Sequence, residues 1–67
     1  MQHFKVHYTV FRGKRCAASW IAFAANSADE LPGLFQDYID LNGFADRSPR
    51  FDRAELVTDG SIYPVNG

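Results

Sequence analysis

The chain has 67 residues, of which 46% are hydrophobic and 15% aromatic, with seven basic and eight acidic side chains. This length excludes a two-domain enzyme, and the apolar content is too high for an intrinsically disordered chain. From length and apolar content we therefore expect one folded domain over residues 1–67. The formal net charge of −1 argues against a protein that coats nucleic acid non-specifically.

The first third of the chain predicts a β-hairpin. Residues from Phe4 to Val10 alternate between apolar and polar, which is the period of a half-buried strand. Gly13 can adopt the positive φ that begins a two-residue type II′ turn. A second strand is therefore expected from about Arg15 to Ala25.

The turn at Gly13 and Lys14 also predicts the register of this hairpin, because directly opposed residues then have numbers that sum to 27. The core face would carry the pairs Phe4/Phe23, Val6/Ile21, Tyr8/Ser19 and Val10/Ala17. The opposite face would carry Lys5/Ala22, His7/Trp20, Thr9/Ala18 and Phe11/Cys16. A slip of one residue would exchange the two faces.

Residues 27–41 predict an amphipathic helix, since the apolar side chains fall in one stripe at 100° per residue and the acidic ones lie opposite. Two starts are open. Ser27 and Glu30 have the spacing of a capping box, whereas Asp29 as the N-cap would place Pro32 inside the first turn.

After the helix, Gly43 is suited to the left-handed position that ends it. The polar segment 44–52 predicts a loop in which Phe44 and Phe51 hold the ends to the core. This segment is too short to link two domains.

The last part of the chain predicts a second hairpin, with strands 54–58 and 61–65 and a type I′ turn at Asp59 and Gly60. Pro64 would make the final strand an edge strand. The predicted fold is therefore α+β with the order ββαββ: a small antiparallel sheet of two hairpins, with the helix packed on one face. The relative order of the two hairpins stays open.

The residues that could carry catalysis do not come together in this layout. Cys16 and His7 would lie roughly 13 Å apart along a strand that rises ~3.3 Å per residue. His3 and His7 are four apart in one strand, which is too far to share a metal ion. Common phosphate-binding, nucleophile and zinc motifs do not occur, so we expect no enzyme, no metal and no cofactor.

The expected location is the cytoplasm. Cys16 is the only cysteine and cannot form an internal disulfide, which favours a reducing compartment. No apolar signal-peptide core follows Met1, and no stretch approaches the ~20 apolar residues of a membrane span.

Charge is segregated along the chain although the total is small. Residues 1–26 contain four Lys or Arg and no acids, while residues 27–46 contain five acids and no Lys or Arg. The folded domain should therefore be dipolar, with a basic hairpin and an acidic helix.

This combination favours a protein-binding module. The candidate partner-binding residues are Trp20, His7, Lys5, Phe11, Arg12, Lys14 and Arg15. Trp20 would be the apolar anchor, because Trp is enriched at interface centres. The three cations at the hairpin tip would guide the partner electrostatically.

Two other interpretations stay open. The same face could bind single-stranded nucleic acid, with aromatic side chains stacked on bases and cations on phosphates. Alternatively, Trp20 packs under the segment 44–51 or against a second copy in a homodimer. The scarcity of stacking aromatics and the net charge favour a protein partner over nucleic acid.

The overall design of the chain combines three parts: the opening hairpin FKVHYTVFRGKRCAASWIAF, the capped helix SADELPGLFQDYIDLNG and the closing segment AELVTDGSIYPV. In this design the chain resembles small proteins encoded by bacteriophages and other mobile elements, including anti-CRISPR and host-takeover inhibitors. The resemblance implies inhibition of a larger host complex by steric occlusion, without turnover. It assigns no functional residue.

Overall fold

The computed structural model describes residues 1–58 and 60–65. Its strands are β1 (Gln2–Arg12), β2 (Arg15–Ala25), β3 (Arg50–Thr58) and β4 (Ser61–Pro64), and its helix is α1 (Leu31–Asn42). Short 3-10 turns at Ala28–Glu30 and Ala45–Arg47 flank the helix. The predicted α+β class and ββαββ order are confirmed. None of the helices in the described part of the chain is long and apolar enough to cross a membrane.

The first hairpin has the predicted register. Pairs run without interruption from Gln2↔Ala25 to Arg12↔Arg15. Gly13 has a φ of +62°, and Lys14 is not in the left-handed region. This pattern fits a type II′ turn, because a type I′ turn needs a positive φ at both central residues.

The sheet order is β2-β1-β3-β4, so β1 is central and the two hairpins meet along β1 and β3. Strand β4, which contains Pro64, lies at one edge of the sheet, as predicted. Thr58 pairs with Ser61 as expected for the second hairpin. The type I′ turn predicted there includes Asp59, which lies outside the described residues.

Strand β3 is longer than predicted: it begins at Arg50 and not at Ala54. Its pairing with β1 shifts between His7 and Tyr8, whose partners are Arg53 and Phe51. Asp52 is therefore the extra residue of a β-bulge, which lets a polar segment continue the ladder. Strand β4 ends at Pro64, one residue earlier than predicted.

The helical segment combines features of both predicted starts. The Glu30 carboxylate accepts hydrogen bonds from the backbone N–H groups of Asn26 at 2.6 Å and Ser27 at 3.3 Å. A 3-10 turn follows, and Pro32 then lies in the first turn of α1. Asp29 lies inside the 3-10 turn and is not the N-cap. At the other end Gly43, with a φ of +67°, ends α1 as predicted.

The core lies between α1 and one face of the sheet. Its buried apolar residues are Phe4, Val6, Tyr8, Ala25, Leu31, Phe35, Ile39 and Ala54. The Phe35 ring centroid is 5.4 Å from that of Tyr8 and 5.5 Å from that of Phe51. Phe44 and Phe51 pack against this core, as predicted. In the described part of the chain, helical structure covers only this face of the sheet.

Candidate functional site

The sheet surface that faces away from α1 is the candidate site, and we call it the open face. Its side chains form rows across β2, β1 and β3, namely Ala24/His3/Val57, Ala22/Lys5/Glu55, Trp20/His7/Arg53 and Ala18/Thr9/Arg50. Phe11 and Cys16 form the last pair toward the hairpin tip. The structure therefore brings together four of the predicted site residues: Lys5, His7, Phe11 and Trp20.

Trp20 and Ile62 are the large exposed apolar side chains of this face, with 57% and 51% of their surfaces accessible, and Ile62 lies opposite Val57 at the β4 edge. The Lys5 Nζ lies 4.4 Å from the centroid of the Trp20 ring, a cation–π geometry. Ala18 and Ala22 on the same side of β2 are also exposed. The segment 44–51 does not cover Trp20, so that interpretation is wrong.

His7 and Glu55 form the polar centre of the open face. His7 Nε2 and Glu55 Oε1 are 2.5 Å apart, and the two side chains are 21% and 22% exposed. The hydrogen bond from His7 lowers the pKa of Glu55, and the nearby charges of His7, Arg53 and Lys5 lower it further. This pair fixes two side chains next to Trp20.

A second polar cluster surrounds the β-bulge. Thr9 Oγ1 donates to Asp52 Oδ2 at 2.5 Å, and Arg50 Nε donates to Asp52 Oδ1 at 2.8 Å. The hydrogen bond from Thr9, followed by that from Arg50, lowers the pKa of Asp52. The Arg50 guanidinium also lies 5.4 Å from the Phe11 ring centroid, so Phe11 is only partly exposed.

These contacts show that the open face carries mixed charge. The first hairpin alone supplies only cations, but β3 places Glu55 and Asp52 directly beside β1. The dipole expected from the order of charges along the chain therefore does not give a uniformly basic sheet face. A mixed face is poorer at holding a nucleic-acid backbone than a uniformly cationic one.

The lowered pKa values predict an acid dependence of stability. Folding favours the ionised forms of Glu55 and Asp52, so their contribution is complete above the ordinary pKa values of 4.5 and 3.8. The contribution is lost as the pH falls through the lower folded-state values. The Glu55→Gln variant should therefore lose less thermal stability than the wild type between about pH 5 and pH 2.

This dependence can be measured as the melting temperature against pH. Asp37→Asn removes an acid from the exposed side of α1 and is the control. If the melting temperature of Glu55→Gln fell as steeply with decreasing pH as that of Asp37→Asn, the role assigned to the His7–Glu55 pair would be contradicted.

The three cations at the hairpin tip do not share the open face with Trp20. Arg12 pairs with Arg15, and alternation places both on the helix side of the sheet with Val10 and Ala17. There they line a surface pocket of about 310 Å³ together with Arg47. Lys14 is exposed in the turn. Arg47 lies in a polar segment, where no sequence signal identified it.

The remaining candidate groups stand apart from one another. Cys16 is exposed and unpaired with another cysteine. Among residues 1–58 and 60–65, no group of three His, Cys, Asp or Glu side chains could hold a metal ion. Comparison of the chain with family models, curated proteins and solved structures gave no match.

Proposed function

We propose that the protein is a non-enzymatic module that binds a larger protein through the open face. The observation that carries the proposal is Trp20, exposed on β2 and held by the Lys5 ammonium. Tryptophan buries a large apolar area and is enriched among the residues that dominate binding energy. The small side chains of Ala18 and Ala22 allow a partner surface to approach closely.

The polar neighbours of Trp20 suit the edge of such an interface. Glu55 is already paired with His7, and Asp52 with Thr9 and Arg50. Side chains that are ordered before binding lose little conformational entropy when a partner arrives. Charged groups around an apolar anchor also match the usual arrangement of a polar rim around an apolar centre.

The size of the open face also fits a protein partner. The domain measures 38 × 20 × 19 Å, so its broad side is large enough to take part in a standard interface, in which each partner buries ~800 Å². The proposed location of this encounter is the cytoplasm. In keeping with the resemblance to mobile-element inhibitors, the proposed consequence is steric occlusion of a larger host complex.

The test replaces Trp20 with alanine. Host-cell lysate is passed over the immobilised protein, retained proteins are identified, and the purified partner is then titrated against each variant. We expect Trp20→Ala to weaken binding by about 30-fold or more, since truncated hot-spot residues cost 2 kcal/mol or more. Folding of the variant is checked by circular dichroism.

Tyr63→Ala is the matched control, because Tyr63 is an aromatic residue of similar exposure, 53%, on the helix side of the sheet. It should bind the partner as the wild type does. If a folded Trp20→Ala protein kept full affinity, the proposed anchor would be wrong.

The alternative ligand, single-stranded nucleic acid, would stack on Trp20 and contact the cations of Lys5 and Arg53. Because the chain has one tryptophan, its fluorescence reports directly on the open face. Quenching by an oligothymidylate that disappears as salt is added would favour this alternative. A partner-free protein that sediments as a dimer with Trp20 shielded would indicate self-association.

A further inference from the structure

The surface pocket at the turn end of the first hairpin lies mainly on the helix side of the sheet, and Cys16 is the one residue that it shares with the open face. It is lined by Val10, Arg12, Arg15, Cys16, Ala17 and Arg47 and has a volume of about 310 Å³. We call it the arginine pocket. Strands β1 and β2 contribute Arg12 and Arg15 to its lining, and the 3-10 turn after α1 contributes Arg47. The three arginines that line the pocket thus come from segments that are distant in the chain.

In the part of the chain that the structure describes, the three arginines of the pocket take part in no ion pair. Arg12 and Arg15 are directly opposed across the hairpin, an arrangement in which like charges repel. Within residues 1–58 and 60–65, the ion pairs are His7–Glu55 and Arg50–Asp52, and neither involves a pocket arginine. Several like charges around a concave surface concentrate the electric field there and attract anions.

The third arginine is held in position by its surroundings. The Arg47 guanidinium lies 5.3 Å from the ring centroid of Phe44, and that ring packs at 5.7 Å against Tyr38 of α1. Ser48, the next residue, has a φ of +47°, which is uncommon for a residue other than glycine. Ser48 therefore constrains the backbone path after Arg47, and the Phe44 ring gives the Arg47 side chain a cation–π contact.

Guanidinium groups form paired, charge-assisted hydrogen bonds with phosphate oxygens. A phosphate monoester carries a charge of about −1.5 to −2 at pH 7, whereas a diester carries a single charge. Val10 and Ala17 offer an apolar contact for the part of the ligand that bears the phosphate. We propose that the arginine pocket binds a small phosphate monoester, its phosphate held by Arg12, Arg15 and Arg47.

The test uses phenyl phosphate as the probe and the full chain labelled with nitrogen-15. We expect saturable shifts of the backbone amide signals of residues 10–17 and 47. Arg47→Gln should raise the dissociation constant by about tenfold, the effect of losing one charge-assisted hydrogen bond. Combining it with Arg12→Gln should raise the constant further, and the amide spectra show whether each variant is folded.

Lys14→Gln is the matched control, since it removes one positive charge from the same hairpin outside the pocket lining. It should leave the dissociation constant unchanged within about twofold if binding is local and not a long-range charge effect. Trp20→Ala should also retain the probe, so this proposal and the protein-binding function can fail independently.

Three results would overturn the proposal. The first is the absence of saturable shifts at the pocket. The second is an equal loss of affinity in Lys14→Gln and Arg47→Gln, which would mean diffuse electrostatic attraction. The third is equal affinity for methyl phenyl phosphate, a diester with the same ring and one charge, which would exclude selection of the monoester.

Discussion

Replacement of Phe35 by alanine is expected to lower the free energy of unfolding by about 3–5 kcal/mol. Phe35 is 5% exposed at the centre of the contact between α1 and the sheet. Its ring packs against Tyr8 and Phe51, with centroid separations of 5.4 and 5.5 Å. A chain of 67 residues has a total stability of roughly 3–10 kcal/mol, so the loss approaches the whole.

Urea unfolding followed by circular dichroism measures this loss. Phe35→Leu is the control, since it keeps the site apolar and leaves a smaller cavity, and we expect it to lose about 1–2 kcal/mol. Equal stability of the two variants would show that the aromatic ring does not fill this contact.

A second large effect is expected from Leu31→Ala. Leu31 is 1% exposed at the first position of α1, so truncation should cost about 2–5 kcal/mol through lost burial and a residual cavity. Leu41→Ala makes the same chemical change ten residues later in the same helix. Leu41 is 87% exposed, and its truncation should change stability by less than about 0.5 kcal/mol.

The comparison of these two leucine variants isolates burial from helix propensity, because both replace leucine with alanine within α1. The stability losses are compared through the midpoints of urea unfolding, with the same dependence of the unfolding free energy on urea concentration in both variants. Similar losses in both variants would contradict the orientation of the helix on the sheet.

The first hairpin was predictable because its information is local. Gly13 fixes the turn, and the turn fixes every opposed pair in an antiparallel ladder. The order of the strands was not predictable in this way. Strand β1 pairs with β3, and the contact of His3 with Val57 joins residues more than fifty positions apart. No turn residue between them specifies that pairing.

In the candidate site, too, the contacts within the first hairpin were predictable and the contacts with β3 were not. The register predicted that Lys5, His7 and Trp20 share a face, and the structure confirms it. Glu55 joined them only through the pairing of β1 with β3. The β-bulge at Asp52 could not be foreseen either, because a polar segment with few apolar residues carries no clear strand period.

The hairpin tip is a different case, because the information was in the sequence. Arg12 lies two residues after Val10, and alternation along a strand places both on the same side. Strict alternation along β1 and β2 thus separates Arg12 and Arg15 from Trp20, although all of them belong to the same hairpin. Arg47 enters the pocket through the path of the chain after α1, which depends on packing of Phe44.

The position of β2 at the edge of the sheet affects the tendency of the protein to aggregate. Among the residues that the structure describes, this strand pairs only with β1, so its outer side presents a row of amide and carbonyl groups that no other strand pairs. From Cys16 to Ala25 it has no charge, proline or glycine, the devices by which natural sheets discourage edge-to-edge assembly. The opposite edge, β4, is four residues long and ends in Pro64. Trp20 lies on this strand, so edge-to-edge stacking through the β2 backbone would occur beside the surface proposed to bind a partner.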